Sequence, residues 1–196
     1  MMLETLTRLI AQTRTCRRFD QATPVSLETL RTLIDLGRLG GSAKNLQPLR
    51  YMPIHEPALA ARVFPHLAWA GYLGDWPGPQ EGERPPAYIA CLLDTRLSRD
   101  GQCDLGIASQ NILLGATAMG LGGCRIASIS PRLRETLLLP GHLELLLVIA
   151  LGLPQETVRF ETLPPDGDLR YWRDAEGIHH VPKRELDDLL VPPPKG

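Results

Sequence analysis

Ala87-Tyr88-Ile89-Ala90-Cys91-Leu92-Leu93-Asp94 is an unbroken apolar run of strand length, and the rest of the chain has to accommodate it. A strand with one wet face alternates polar and apolar side chains. A run without alternation reads as a strand covered on both faces. Glu144–Gly152 is a second such run and the most apolar strand of the chain. Between them, Asp104–Met119 reads as a central helix lined by small residues that let another backbone come close. The wider segment Leu105–Gly122 carries no charge over 18 residues, yet it holds Ser109, Gln110, Asn111 and Thr117. That polarity suits a buried helix and not a lipid-facing one.

Working outward, Leu3, Leu6, Leu9 and Ile10 recur at helical spacing and predict a first amphipathic helix over Met2–Gln12. Ser26 caps a second helix, with Leu27, Leu30, Leu33 and Ile34 on one face, and Gly40-Gly41-Ser42 ends it. A loop then feeds a strand near Arg50–His55, followed by a helix over Pro57–Phe64. Ala68–Pro86 is a long irregular insert carrying Trp69, Tyr72 and Trp76, either as lid residues or as anchors of the loop to the core. Gly120–Gly123 reads as a turn, Arg125–Ile129 as a strand, and Pro131–Leu138 as a helix with proline in its first turn. Past Pro154 no second core is visible. Gln155–Gly177 cannot fold alone, and a last helix over Lys183–Val191 precedes the tail Pro192–Gly196. Residues 1–196 therefore read as one domain whose 154–196 extension must pack on this domain or on a partner subunit.

Composition narrows the function. With 43 % hydrophobic residues and a formal charge of −1, the 196-residue chain suits neither long disorder nor a basic nucleic-acid surface. Gly and Pro together are 36 residues, which promises long irregular connections. Of the four cysteines, Cys91 and Cys103 read as small core residues, and no pair has metal-ligand spacing with the histidines. No N-terminal signal is visible, so a cytoplasmic, membrane-free protein is expected.

Walker A, G-x-S-x-G and H-E-x-x-H motifs are missing. Gly120-Leu121-Gly122-Gly123 follows a helix and precedes a strand, the reverse of a dinucleotide fingerprint, so it reads as a helix cap or as backbone approached by a ligand. Arg14-x-x-Arg17 offers two guanidiniums for a phosphate or a delocalised anion. Ser42-x-x-Asn45-x-Gln47-Pro48 offers hydroxyl and amide groups suited to the edges of a planar heterocycle.

In order along the chain, four stretches resemble the FMN-dependent nitroreductase family. Arg14-Thr15-Cys16-Arg17-Arg18-Phe19 is similar to its R-S-x-R-x-F, and Gly41–Tyr51 to its P-S-x-x-N-x-Q-P-W-x-F. Ala118–Cys124 is similar to its A-x-G-L-G stretch, and Val181–Leu189 to its basic residue before a C-terminal P-L-x-x-L helix. The resemblance implies an α+β fold around a mixed, mainly antiparallel sheet flanked by helices, with the C-terminal extension wrapping the partner of a homodimer. It implies FMN at the subunit interface and NAD(P)H as reductant. By position, Arg14, Thr15 and Arg17 would bind the FMN phosphate and pyrimidine edge, and Lys183 or Arg184 would complete the phosphate site. Ser42, Asn45 and Gln47 would approach the ring system, with backbone from Gly123 through Ile126 and Ala127 alongside. Arg17, or Lys44 as second choice, would stabilise the charge of reduced FMN. Leu49 and Cys124 stand where the family has aromatics, which leaves the acceptor open.

The implied activity is electron transfer from NAD(P)H to a small organic acceptor, a nitroaromatic, a quinone or similar, by a ping-pong scheme. Two alternatives stand beside it: an FMN-binding storage or sensing protein without substantial turnover, and a cysteine enzyme using Cys16 or Cys124, each with an arginine next to it.

Overall fold

The structure is a computed structural model and describes residues 1–194; Lys195 and Gly196, the end of the expected tail, lie outside the described residues. In chain order the elements are α1 (Met2–Gln12), β1 (Phe19–Asp20), α2 (Leu27–Arg38), β2 (Leu49–Ile54), α3 (Pro57–Val63), β3 (Ala87–Asp94) and α4 (Gln102–Ala118). There follow β4 (Gly122–Ile126), α5 (Leu133–Thr136), β5 (Leu143–Pro154), β6 (Val158–Thr162), β7 (Trp172–Arg173) and β8 (His179–Lys183).

The main sheet runs β1-β5-β3-β2, with β4 also paired to β5. Every pairing in it is antiparallel. β5 is the organising strand. One edge takes β3 from Ala87↔Leu151 to Asp94↔Leu143. The other takes β4 (Gly122↔Gly152 to Ile126↔Val148) and then β1 (Phe19↔Pro154). The unbroken apolarity of β3 follows from this placement, because all eight of its residues are buried. Ala87, Ile89 and Cys91 join Leu30, Leu33, Ile112 and Ala116 under α2 and α4. Tyr88, Ala90 and Leu92 join Ile54, Val63, Leu133 and Val148 on the opposite face, toward α3 and α5. The two-faced strand and its helical layers are as the sequence predicts.

α2 starts where expected: Ser26 Oγ accepts the Thr29 N–H, satisfying a donor the first turn leaves free. α4 packs on α2 through glycines. A Cβ at Gly37 would lie 3.0 Å from the Ile112 side chain, and one at Gly115 would lie 3.1 Å from Leu33. Gly120, with φ +76°, ends α4 in a left-handed turn in which the Leu121 N–H reaches back to the Ala116 carbonyl. It is a helix cap.

Several expectations need correction. The strand after this turn starts at Gly122 and ends at Ile126, three residues earlier than expected. Gly122 and Gly123 belong to it because Cys16, Pro154 and Leu113 crowd the space their side chains would need. The helix expected over Pro131–Leu138 is a single turn. Cys91 is buried, but Cys103 is exposed in the first turn of α4. The final helix over Lys183–Val191 is absent: Lys183 ends β8, and only Asp187–Leu189 forms a 3-10 turn. Residues 155–177, expected to need something to pack on, join β8 in a small second sheet. β6 and β8 pair in parallel, β7 and β8 antiparallel, and Leu163 and His179 are buried. This small sheet docks on its own chain.

α1 forms as predicted, yet none of its residues is buried. Met2, Leu3, Leu6 and Ile10 stay exposed, as do Leu186, Leu189, Leu190 and Val191 near the other end of the chain. Among the described residues no helix is long and apolar enough to cross a membrane.

Candidate functional site

The segment after α1 carries the first group of candidate residues. A bridge between Thr15 and Gly123 fixes it, with the Cys16 N–H donating to the Gly123 carbonyl at 2.9 Å. This edge pairing brings Thr13, Arg14, Thr15 and Arg17 to a cavity of about 340 Å³ that Gln110, Arg125, Tyr171, His179 and Lys183 also line. The volume falls in the range of small-molecule sites, roughly 300–1,000 Å³. Four lining residues carry cations and none carries a carboxylate. Arg14 donates to the Ile10 carbonyl at 2.7 Å and lies 4.5 Å over the Phe160 ring, while its buried Nε–H has no partner among the described residues. Burial without a counter-charge pulls its pKa down.

Arg17 is buried and held from three sides. Its backbone N–H donates to Glu156, its guanidinium lies 4.8 Å over Tyr171, and Nη1 is 3.2 Å from His179 Nε2. A guanidinium only donates, so His179 Nε2 accepts and the imidazole proton sits on Nδ1. That Nδ1 is itself buried without a partner. Burial first, and the nearby Arg17 charge second, push the His179 pKa down to about 4, so the ring is neutral near pH 7. The cavity wall is therefore built of donors, an arrangement that fits an anionic group such as a phosphate.

Glu156 links this wall to the small C-terminal sheet. Its side chain is 1 % exposed and accepts the Arg17 N–H and, at 2.7 Å, the Arg173 guanidinium. Next to His179 in β8, His180 is clamped between Asp174 (2.9 Å) and Glu161 (2.6 Å) and stacks on Trp172. Those two carboxylates, Asp174 foremost, raise its pKa. Glu156, Tyr171, Arg173 and Asp174 were not among the sequence candidates. The carboxylates that clamp His180 come from 6 and 19 residues away in sequence.

Ser42 and Gln47 lie elsewhere, on a second cavity of about 320 Å³ shared with Ile34, Leu49, Tyr51, Asp104 and Ala108. Neither cavity is lined by residues of both groups. Asn45 and Gln47 are exposed on this loop, Gln47 Nε2 donating to Asn45 Oδ1 at 3.1 Å. Ser42 is committed inside the loop, its hydroxyl donating to Asp104 and accepting the Gln47 N–H. Gly123 is buried and its carbonyl is used by Cys16; Ile126 is core, and Ala127 is exposed beyond the strand. Lys183 lines the cationic cavity, and Arg184 is exposed beside it in sequence.

The insert's aromatic side chains behave as anchors. Trp69 packs on Phe64 at 5.9 Å, Tyr72 on Tyr171 at 5.1 Å, and Trp76 lies under Arg173 at 4.4 Å. Cysteine chemistry is not supported, because burial pushes the Cys16 thiol up to about 12 and the Cys124 thiol up to about 11.

Comparison with known proteins agrees with this architecture. Residues 10–85 match the Nitroreductase family. A Desulfovibrio desulfuricans protein assigned as a nitroreductase, solved in complex with FMN, is 24 % identical with a TM-score of 0.68, over 97 % of this chain and 98 % of that one. A nitroreductase family protein from Streptococcus pneumoniae is 19 % identical with a TM-score of 0.66, over 82 % and 96 %. The Vibrio harveyi NADPH:FMN oxidoreductase, solved with NAD+, is 24 % identical with a TM-score of 0.64, over 82 % and 73 %. At these identities the structures establish a shared fold. The sequence match adds a likeness to that family over residues 10–85, less than half of the chain.

Proposed function

We propose that the protein is an FMN-dependent oxidoreductase that passes electrons from NAD(P)H to a small organic acceptor in a ping-pong sequence. The observation that carries this reading is the cavity walled by Arg14, Arg17, Arg125 and Lys183 with no carboxylate in its lining, where buried Arg14 Nε and His179 Nδ1 have no hydrogen-bond partner among the described residues. FMN fits such a wall, since it brings a phosphate dianion and a ring edge of carbonyl oxygens. When bound, FMN would supply the hydride acceptance and delivery that the protein's side chains cannot perform.

Arg14, Thr15 and Lys183 would hold the phosphate, with Arg184 next along the chain. Arg17 is pinned by Glu156 and by neutral His179, so it presents a fixed positive charge that would stabilise negative charge on the ring edge. Tyr171 covers Arg17 and keeps water from it. The loop of Ser42, Asn45 and Gln47 faces a different cavity of the same chain, so a homodimer would complete the site, with Asn45 of the partner subunit meeting the ring held by Arg17. The exposed apolar side chains of α1 and of Leu186–Val191 supply surface for that contact. Four free thiols suit a cytoplasmic location.

The test is direct. Purified protein should bind about one FMN per chain, sediment as a dimer, and lose its flavin absorbance on anaerobic mixing with NADPH or NADH. Protein that binds FMN but is reduced by neither nucleotide would instead be a storage or sensing protein. Protein that takes up no FMN would end the reading.

A further inference from the structure

We propose that Asp104 is the positioning residue of the Ser42–Gln47 loop, and that Ser42 acts through it and not on the cofactor. The proposal rests on the reading that Asn45 and Gln47 contact FMN, although its structural half stands without it. The loop needs external support: Lys44, Asn45 and Gln47, none of them glycine, have φ of 52°, 55° and 48°. Left-handed residues in such number persist only where their surroundings over-determine them.

Asp104 provides that determination from the first turn of α4. It is 6 % exposed, and among the described residues no cation pairs with it. Its acceptors are met by the loop instead. Oδ1 accepts the Ala43 N–H at 3.2 Å, and Oδ2 accepts the Ser42 hydroxyl at 2.5 Å. The same hydroxyl oxygen then accepts the Gln47 N–H at 2.8 Å. A serine hydroxyl has one proton, and this one is given to Asp104, so Ser42 has none to offer a ligand. The chain of bonds from Asp104 through Ser42 to Gln47 sets where the amides of Asn45 and Gln47 stand. Gln47 Nε2 fixes the Asn45 oxygen, which leaves, among the described residues, the Asn45 NH₂ and the Gln47 side-chain oxygen Oε1 as the loop's free donor and acceptor.

Two measurements test this. Hydrogen exchange followed by NMR on the full chain without FMN reads the bonds themselves. Asp104→Ala should speed exchange at both the Ala43 and Gln47 amides. Ser42→Ala should speed Gln47 and leave Ala43 protected, and Ser42→Thr, which keeps the hydroxyl, should restore Gln47. Titration with FMN reads the consequence. Asp104→Ala and Ser42→Ala should each weaken binding about tenfold, as expected for one charge-assisted hydrogen bond. The double variant should bind no more weakly than Asp104→Ala alone. Unchanged exchange in Asp104→Ala, or a Ser42→Ala loss that adds in full to that of Asp104→Ala, would overturn the proposal. If Asp104→Ala does not fold, Ser42→Ala against Ser42→Thr decides by loss and return of Gln47 protection. If the wild type binds no FMN, the proposed function fails while the exchange result still decides the role of Asp104.

Discussion

Glu156→Ala removes a carboxylate that ties the small C-terminal sheet to the Arg14–Arg18 segment. The side chain is 1 % exposed, and its partner Arg173 is 14 % exposed. Taking away one member of a buried pair leaves the other charge without compensation, at about 3–5 kcal/mol. Arg173 would keep only its contact with Trp76, its Nε already being unpartnered, and the Arg17 N–H would lose its acceptor. For a chain of this size about 1 kcal/mol moves the melting temperature by roughly 2–4 °C, so a drop of roughly 6–20 °C is expected. The loss should be local before it is global. Trypsin should cut the 159–173 region of the variant while β3 and β5 are still protected, and calorimetry should show a low-temperature shoulder. Glu156→Gln keeps an acceptor for the N–H and should lose less. A melting temperature within about 3 °C of the wild type, with an unchanged proteolytic pattern, would refute the idea that this carboxylate holds the sheet.

The two adjacent histidines should give opposite pH limbs to the stability of that same sheet. The raised pKa of His180 means its contribution is full below the ordinary value of 6.5 and is lost as pH rises through the folded value; His180→Gln should flatten the alkaline limb of a melting-temperature profile. His179, held down to about 4, contributes above 6.5 and loses that contribution as pH falls from 6.5 toward 4, so His179→Asn should remove part of the acid limb. A thiol titration of native protein should find Cys103 reacting quickly and Cys16, Cys91 and Cys124 only after denaturation; fast reaction of two or more would contradict their burial. Gly123→Ala puts a methyl group against Leu113 and should cost about 1–3 kcal/mol by denaturant unfolding.

How much of this was legible in the sequence depends on the range over which each element is specified. β3, β5, α1 and α2 are written in local patterns, either continuous apolarity or helical spacing with a serine cap, and they appear where those patterns put them. β6, β7 and β8 are five, two and five residues long and rich in charge, so no local period betrays them. What holds them is Glu156 reaching Arg17 and Arg173, and His180 reaching Glu161 and Asp174, and such pairings leave no trace in spacing. The same holds at the site. The pairing of Arg14 with Arg17 on one cationic cavity follows from neighbouring sequence, whereas Asp104 is separated from its loop by some 60 residues and looks like any acidic residue in a first helical turn.

The position of β5 also governs how the chain can be made. β3 is apolar on both sides, and the strand that completes it begins 49 residues later, at Leu143. At a ribosomal pace of roughly 5–20 residues per second, that sticky ribbon waits several seconds beside β2 and the emerging α4 before β5 arrives. Then β5 joins β3, β4 and, at its far end, β1 in one event. The nascent polypeptide thus passes through a vulnerable interval late in translation, and aggregation during synthesis should respond more to changes that delay Leu143–Pro154 than to changes in the finished surface.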